Sequence, residues 1–350
     1  MARTAIGLDV GATAVRAVEL SLGSDPPALV RAAQVPLSPG AVRAGEIREV
    51  DAVTEAVREL WRRGRFRSKQ ATMGIGNQRV VVREVTVPAL PPKELRQSLG
   101  YQVQDLIPIP VEDAVLDYDV LDEFEQDGAR SMRLLVVAAQ REMVGRFVEA
   151  ASSARVQPIG VDLVPFALIR AVGQDEGLGL DEEDRGGEAI IDVGADVTNI
   201  CVHERGVARF VRILPTGGRD VTVAMADALG IDQEQAEALK RGQPVETAPP
   251  SEVVRTFLEG RAATLVDEIR SSLDFYRTQT PDAEVNRILV TGGGSKLQGF
   301  LERLRERVTG RVERGRAFQK VAVELDMDEA TMADAEPLLA VTLGLALPAG

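Results

Sequence analysis

Two aspartates carry the first chemical signal in this chain. Asp9 closes the apolar run Ile6-Gly7-Leu8, and Asp192 closes Ala189-Ile190-Ile191; each is followed by Val-Gly-Ala. Such runs read as strands buried on both faces, and the carboxyl ends of strands are where open α/β sheets bind ligands. Gly11 and Gly194 allow a tight turn and let a ligand approach the main chain. A hydroxyl residue, Thr13 or Thr198, follows in each copy. Backbone N–H groups in such turns, here over Gly11-Ala12-Thr13 and Gly194-Ala195-Asp196-Val197-Thr198, hold phosphate oxygens. The two carboxylates suit a Mg²⁺ ion that keeps several of its waters. Either turn alone reads as an ordinary strand end with a surface aspartate. The two copies lie 192 − 9 = 183 residues apart. That is too far for a solenoid period and suits two similar α/β domains gripping one ligand between them.

A third loop strengthens that reading. Asn286-Arg-Ile-Leu-Val290 leads into Thr291-Gly292-Gly293-Gly294-Ser295. Three successive glycines leave bare main chain, a floor for a flat ring such as adenine. Gly217-Gly218 precedes a predicted helix and is open to two readings, a phosphate or hinge element or a plain loop. Glu237 and Lys240 stand three apart on one helix face, the spacing of a solvated salt bridge. No Gly-x-Gly-x-x-Gly and no Gly-x-x-x-x-Gly-Lys-Ser/Thr occurs, which disfavours Rossmann and P-loop chemistry.

The elements that must position these loops follow from periodicity. Strands are predicted at 5–10 and 14–20, with Arg16 on the second, then a helix at 51–63 with Asp51 as N-cap and Val53, Val57, Leu60 and Trp61 on one face. Strands 70–75 and 79–87 follow. Pro88, Pro91 and Pro92 then mark a change of character, and residues 88–160 alternate helix (93–105, 141–154) and strand (111–121, 134–139, 156–161) without a phosphate loop. They read as an inserted subdomain with a surface for a partner. Asp162 lies just before a helix at 165–173. Residues 173–188, rich in Gly, Asp and Glu, read as a solvated linker. The second half offers a meander at 189–194, 197–203 and 207–213, helices from 221 to 229, 232–241 and 251–278, the glycine-loop strand, a helix at 296–309 and a buried apolar helix from Leu338 to Ala349. The domain boundaries expected are 1–87, 88–160 and 161–188 for the first lobe, and 189–225, 226–285 and 286–350 for the second.

Composition narrows the function. With 350 residues, 45% hydrophobic and 27% charged, the chain is expected to fold as about two well-packed soluble domains. A formal net charge of −13 argues against a nucleic-acid surface. One basic cluster, Arg62-Arg63-Gly64-Arg65-Phe66-Arg67-Ser68-Lys69, reads as a solvated loop that an anionic partner could use. The single cysteine, Cys201, reads as a core residue, and the single histidine, His203, as a strand-edge residue that rules out a multi-His metal site. No signal peptide and no bilayer-length apolar run is present, so a cytoplasmic protein without direct membrane insertion is expected.

Three loops in this order resemble the actin, Hsp70 and sugar kinase superfamily. Within it the chain is similar to the FtsA-like proteins and most similar to the PilM family of type IV pilus assembly proteins. The closer likeness rests on Gly7-Leu-Asp-Val-Gly11 with Arg16, Tyr101 through Tyr118, Asp192 through Thr198, Gly217-Gly218, Ala236-Glu237-Ala-Leu-Lys240, Gly292-Gly-Gly294 and Gly344-Leu-Ala-Leu347. The resemblance implies an α/β, actin-like (ribonuclease H-like) two-lobe ATPase fold with an FtsA-type insert at 88–160. It implies Mg²⁺ facing Asp9 and Asp192, and ATP phosphates on the two turns. Arg16 stands where a lysine is usual, Glu237 and Lys240 are at the ribose, and Gly292 to Ser295 are at the adenine. Arginine at 16 keeps the charge and changes the geometry. The family often ends on a basic residue, whereas this chain ends Pro348-Ala-Gly350.

The function so implied is a cytoplasmic ATP-binding scaffold. It would bind the N-terminal cytoplasmic peptide of the inner-membrane protein PilN and link the membrane platform protein to the pilus motor ATPases. Hydrolysis is expected to be slow or absent, with Asp162 the weak candidate for a base and Asp9 and Asp192 positioning metal and water. A rate above about 1 s⁻¹ would contradict this. Two alternatives stand beside it, a small-molecule kinase of the same superfamily and a cell-division tether like FtsA. ATP consumption with small acceptors would reveal the first, and liposome binding the second.

Overall fold

The structure, a computed structural model, describes residues 3–126, 128–174, 186–246, 249–280 and 284–348. The chain opens with β1 (Thr4–Val10), β2 (Ala14–Ser21) and β3 (Ala28–Pro36), then a small hairpin of β4 (Val42–Arg43) and β5 (Glu46–Ile47), α1 (Val50–Gly64) and β6 (Gln70–Ile75). Next come β7 (Val80–Pro88), α2 (Pro92–Val103), β8 (Ala114–Gln126), β9 (Ala129–Gln140), α3 (Arg141–Ser153), β10 (Gln157–Leu163) and α4 (Val164–Val172). The second half holds β11 (Gly187–Val193), β12 (Thr198–Glu204), β13 (Val207–Leu214), α5 (Gly218–Leu229), α6 (Gln233–Lys240) and α7 (Ser251–Gln279). It finishes with β14 (Val285–Thr291), α8 (Phe300–Arg307), β15 (Arg311–Arg314), β16 (Ala322–Val323) and α9 (Glu329–Ala346).

The two main sheets repeat one design. One runs β10-β6-β1-β2-β3-β16 and the other β13-β12-β11-β14-β15. Apart from β16, each has an antiparallel meander of three strands flanked by two parallel strands. The register matches to the residue. Asp9 pairs with Arg16 across the first hairpin, and Asp192 pairs with Asn199 across the second. Parallel strands covered on both faces must be apolar throughout, and every residue of β11 is buried.

Three layers of apolar packing hold the sheets. α1 and α3 cover the outer face of the first sheet through Val53, Val57, Leu60, Phe147 and Ala150. α5, α7 and α8 cover the outer face of the second through Met225, Leu265, Ile269 and Phe300. Between the sheets, α4 and α9 fill the middle, where Val18 and Leu20 of one lobe meet the same cluster as Ile190, Cys201 and Leu289 of the other. The helices come so close that a side chain on Gly344 would strike the Ala167 carbonyl, and one on Gly7 the Thr342 carbonyl. Glycine at those two points lets α9 lie against both α4 and β1.

A third sheet, β7-β9-β8, carries α2 on one face through Leu95, Leu99 and Val103. It redraws the inserted segment. β7 lies almost wholly before residue 88, and β10, expected within 88–160, is the edge strand of the first lobe's sheet. α3 likewise packs on α1 in the lobe core. We therefore place the insert at about residues 80–140.

Other expectations change for local reasons. Val111–Asp113 is a 3₁₀ turn after Pro110, and the strand starts at Ala114. The helix expected at 296–309 is cut to Phe300–Arg307 because Gly299 adopts φ +77°. α9 begins nine residues before the apolar run, at Glu329, capped by Asp328, which accepts from the Thr331 N–H. Asp51 is inside α1; Glu49 precedes the helix and its side chain makes no cap bond. β3, β15 and β16 had no sequence reading. His203 is buried, with Nε2 3.0 Å from Glu188, which also pairs with Arg287 at 3.0 Å. Of the linker 173–188, residues 175–185 lie outside the described residues, as do the last two residues of the Pro348-Ala-Gly350 end. Among the described residues no helix is long and apolar enough to cross a membrane.

Candidate functional site

β1 and β11 bring their aspartates to one cleft between the lobes. Burial pushes the Asp9 carboxyl above its ordinary value, although the Arg16 guanidinium, 3.6 Å away, pulls the other way. Asp192 is more affected. Burial pushes it up to about 6 against a bond from Asn199 Nδ2 at 3.2 Å, and the charge of Asp9 raises it further. The two carboxylates thus feel each other, and one arginine serves both. A buried acid beside a half-buried one, with a single arginine between them, favours a cation. Asn199 Oδ1 is buried without a hydrogen-bond partner, near Gly76 of the opposite lobe. Such an orphan acceptor in the cleft is a place for a ligand or its water.

The turns supply donors, one step later than the glycines. The Gly11 N–H closes its own hairpin on Ala14 (3.1 Å), and the Gly194 N–H closes on Val197 (2.9 Å). Among the described residues, the N–H groups of Ala12, Thr13, Ala195 and Asp196 have no acceptor. Thr13 is exposed, whereas Thr198 is buried and its hydroxyl donates to the Thr216 carbonyl at 2.9 Å. Thr198 braces the second turn rather than offering its hydroxyl to the cleft.

Gly217 and Gly218 dock on that turn. The Gly217 N–H donates to Asp220 (2.8 Å) and the Gly218 N–H to the Gly194 carbonyl (3.0 Å). A methyl group on Gly217 would lie 2.6 Å from the carbonyl oxygens of Gly194 and Ala195. α6 then brings its pair over the same loop. Lys240 Nζ reaches Glu237 (2.6 Å), the Gly218 carbonyl (2.9 Å) and the Thr222 hydroxyl (2.9 Å). Burial pushes the Glu237 carboxyl up, but hydrogen bonds from Lys240 and Thr222 outweigh it and hold it below its ordinary value. For Lys240, burial outweighs Glu237 and the amine is lowered.

The glycine loop closes the other side. Gly292 has φ +84°, and a methyl group there would sit 2.6 Å from Asp192 Oδ1. One on Gly294 would strike the Val193 side chain. α9 fastens this loop, because the Pro337 carbonyl accepts from both the Gly292 N–H (3.1 Å) and the Thr291 hydroxyl (3.2 Å). Gly293 packs against Leu338. Ser295 is buried, its hydroxyl bonded to the Gly292 carbonyl at 2.7 Å, so it shapes the loop and does not line the floor.

Two predicted residues do something else. The Asp196 carboxylate bonds the Ala44 N–H of the other lobe (3.2 Å) and pairs with Arg219 (3.1 Å), and Arg219 Nη2 donates to the Ala12 carbonyl (2.9 Å). Asp196 and Arg219 therefore strap the two turns together. Asp162 is ion-paired with Arg170, which also donates to the Gly344 carbonyl. That carboxylate is committed to the α4–α9 layer and is no free base. The sequence reading missed Asn199, Thr222 and Arg219. Asn199 was findable, since it follows Asp192 by seven residues as Arg16 follows Asp9. Arg219 carried no signal. Among the described residues no cluster of three or more His, Cys, Asp or Glu is arranged to hold a metal ion.

Residues 7–349 match the family described as Type IV pilus assembly protein PilM. The solved PilM-PilN type IV pilus biogenesis complex is 29% identical, with a TM-score of 0.84 over 98% of this chain and 97% of that one. MreB5 of Spiroplasma citri, solved bound to ADP, shares the fold at 13% identity, with a TM-score of 0.53 over 98% of this chain and 94% of that one. The cell division protein FtsA of Bacillus subtilis is 20% identical over 254 residues, which span 67% of this chain and 57% of that protein.

Proposed function

The chain belongs to the family of the type IV pilus assembly protein PilM, and from that premise we propose that it is an actin-like scaffold which binds a magnesium nucleotide between its lobes and a PilN-like N-terminal peptide on another face. The observation that carries the nucleotide reading is the pair Asp9 and Asp192, in matching registers of duplicated hairpins, the first half-buried and the second buried, sharing one arginine.

The residues present fit the group. The N–H groups of Ala12, Thr13, Ala195 and Asp196 would hold phosphate oxygens, with Arg16 offsetting their charge. Asp9 and Asp192 would face Mg²⁺ through its waters. Gly292 to Gly294 leave main chain for the base, and the Glu237–Lys240 pair stands where a ribose would be held. Bound there, the nucleotide would supply charge that both lobes bind at once, and so hold them together. The protein itself offers little for hydrolysis. Asn199 is neutral, Asp162 is ion-paired, and both cleft carboxylates are committed to the cation. Slow turnover or none follows.

The peptide reading rests on the likeness to the PilM-PilN complex over nearly the whole chain. The inserted subdomain supports it, since Tyr101, Leu106, Val115 and Val120 are all exposed there. Recruitment to the cytoplasmic side of the inner membrane, and contact with the platform protein and motor ATPases, would follow through PilN. Calorimetry with ATP and Mg²⁺ tests the cleft, and fluorescence anisotropy with a labelled PilN N-terminal peptide tests the partner. No heat from the wild-type protein would end the nucleotide reading; no peptide binding would end the scaffold reading.

A further inference from the structure

The basic cluster at the end of α1 keeps its charged side chains exposed, but its backbone does not extend into solvent. Trp61 Nε1 donates to the Ser68 carbonyl at 2.9 Å and Trp61 packs against Phe66 at 5.2 Å, so the loop folds back on its helix. Beside it, where α1, α3 and the starts of β6 and β10 meet, lies a cavity of about 380 Å³ lined by Arg58, Trp61, Lys69, Ala154, Arg155 and Val156. That volume is in the range of ligand sites. Its floor is apolar and its rim cationic. Arg58 is engaged with Glu55 and the Ser153 carbonyl. Lys69 and Arg155 are exposed and, among the described residues, pair with no carboxylate. Among the described residues, Arg65 and Arg67 likewise pair with no carboxylate through their side chains.

We infer that this cavity is a second binding site, for a short acidic segment of a partner protein that seats an apolar side chain on Trp61 between flanking carboxylates. The choice of occupant rests on charge. The whole chain carries −13, so an anionic bilayer or a duplex, which presents a broad negative face, meets net repulsion. A short segment meets only the rim. Concavity points the same way, because a flat surface cannot enter a pocket. The site lies at the amino ends of β6 and β10, and the cleft lies at the carboxyl end of β1, which runs parallel to β6. About six strand residues separate them, roughly 20 Å, so the two sites stand or fall separately.

Trp61 is the only tryptophan in the chain, which makes its emission a direct probe. The full-length protein, saturated with ATP and Mg²⁺ to occupy the cleft, is titrated with the synthetic peptide acetyl-Glu-Glu-Phe-Glu-Glu-Leu-amide. A saturable change in emission is expected, weakened at least about tenfold by Lys69→Glu with Arg155→Glu, the equivalent of about 1.4 kcal/mol, and weakened by added salt. Both side chains are on the surface, so the double variant should melt as the wild type does. Three results would overturn the inference: no saturable change, an affinity indifferent to the double variant, or tighter binding of phosphatidylglycerol vesicles or duplex DNA at the same residues.

Discussion

Asp192, as a proposed binding residue, shows how far such a group departs from what the isolated fold prefers. Its carboxyl, ordinarily near 3.8, is pushed up to about 6 by burial. Because the folded value is raised, the protonated form favours the fold. That contribution is complete below about pH 4 and is lost as pH rises through about 6. Asp192→Asn should therefore flatten the stability of the nucleotide-free protein over that window and raise its stability at neutral pH by up to about 2–3 kcal/mol, read from urea melts at several pH values. The same variant should lose magnesium-dependent ATP affinity in calorimetry. A variant destabilised at neutral pH would mean the charge is satisfied in a way the burial of this carboxylate does not indicate. Gly294→Ala makes the complementary point at the floor, where the new methyl meets Val193. ATP affinity should fall at least about tenfold, and the melt should fall as well, because Val193 is fully buried and overpacking of this kind costs about 1–3 kcal/mol.

At the scale of elements, the α4–α9 layer decides whether the lobes hold together. Gly344→Ala would drive a methyl into the Ala167 carbonyl, and overpacking of this kind costs about 1–3 kcal/mol. The melting temperature should drop by several degrees. Gly145→Ala in α3, where a methyl meets nothing within 4 Å, should instead stabilise by about 0.5–1 kcal/mol. The pair separates close helix contact from helix propensity, and equal effects would refute the packing account. His203, Glu188 and Arg287 show the same layer's care with polar groups, since the buried Glu188 carboxylate contacts both the His203 ring and the Arg287 guanidinium at 3.0 Å.

The whole molecule is a cleft held by few cross-lobe bonds at its mouth. Arg219 reaches the Ala12 carbonyl while pairing with Asp196, and Asp196 bonds Ala44. Such partly exposed bonds add about 1 kcal/mol or less each to stability, so Arg219→Ala should barely change the melt. It should nonetheless speed hydrogen exchange at residues 10–14 and 44–46 and widen the particle in small-angle scattering without nucleotide. Unchanged exchange would mean that the α4–α9 layer alone sets the cleft.

Local patterning alone determined a good deal. Apolar runs ending in Asp-Val-Gly-Ala read as buried strands entering turns, so both hairpins, the glycine loop and the doubled α/β design were legible, as was the facing of Asp9 and Asp192 across two lobes, while the fold's family and the place given to Arg16 came through likeness to known families. Roles that depend on what lies across the cleft were not. Thr198, Ser295 and Asp196 have the residue types of ligand contacts, yet the structure turns them to Thr216, Gly292 and Ala44, residues 18, 3 and 152 positions away. The limits of the insert changed for the same reason. Strand pairing is non-local, so β7 and β10 took their sheets from partners the sequence does not place beside them. The basic loop also became a pocket only because α3 ends where α1 does, a meeting that hydropathy along one chain cannot record.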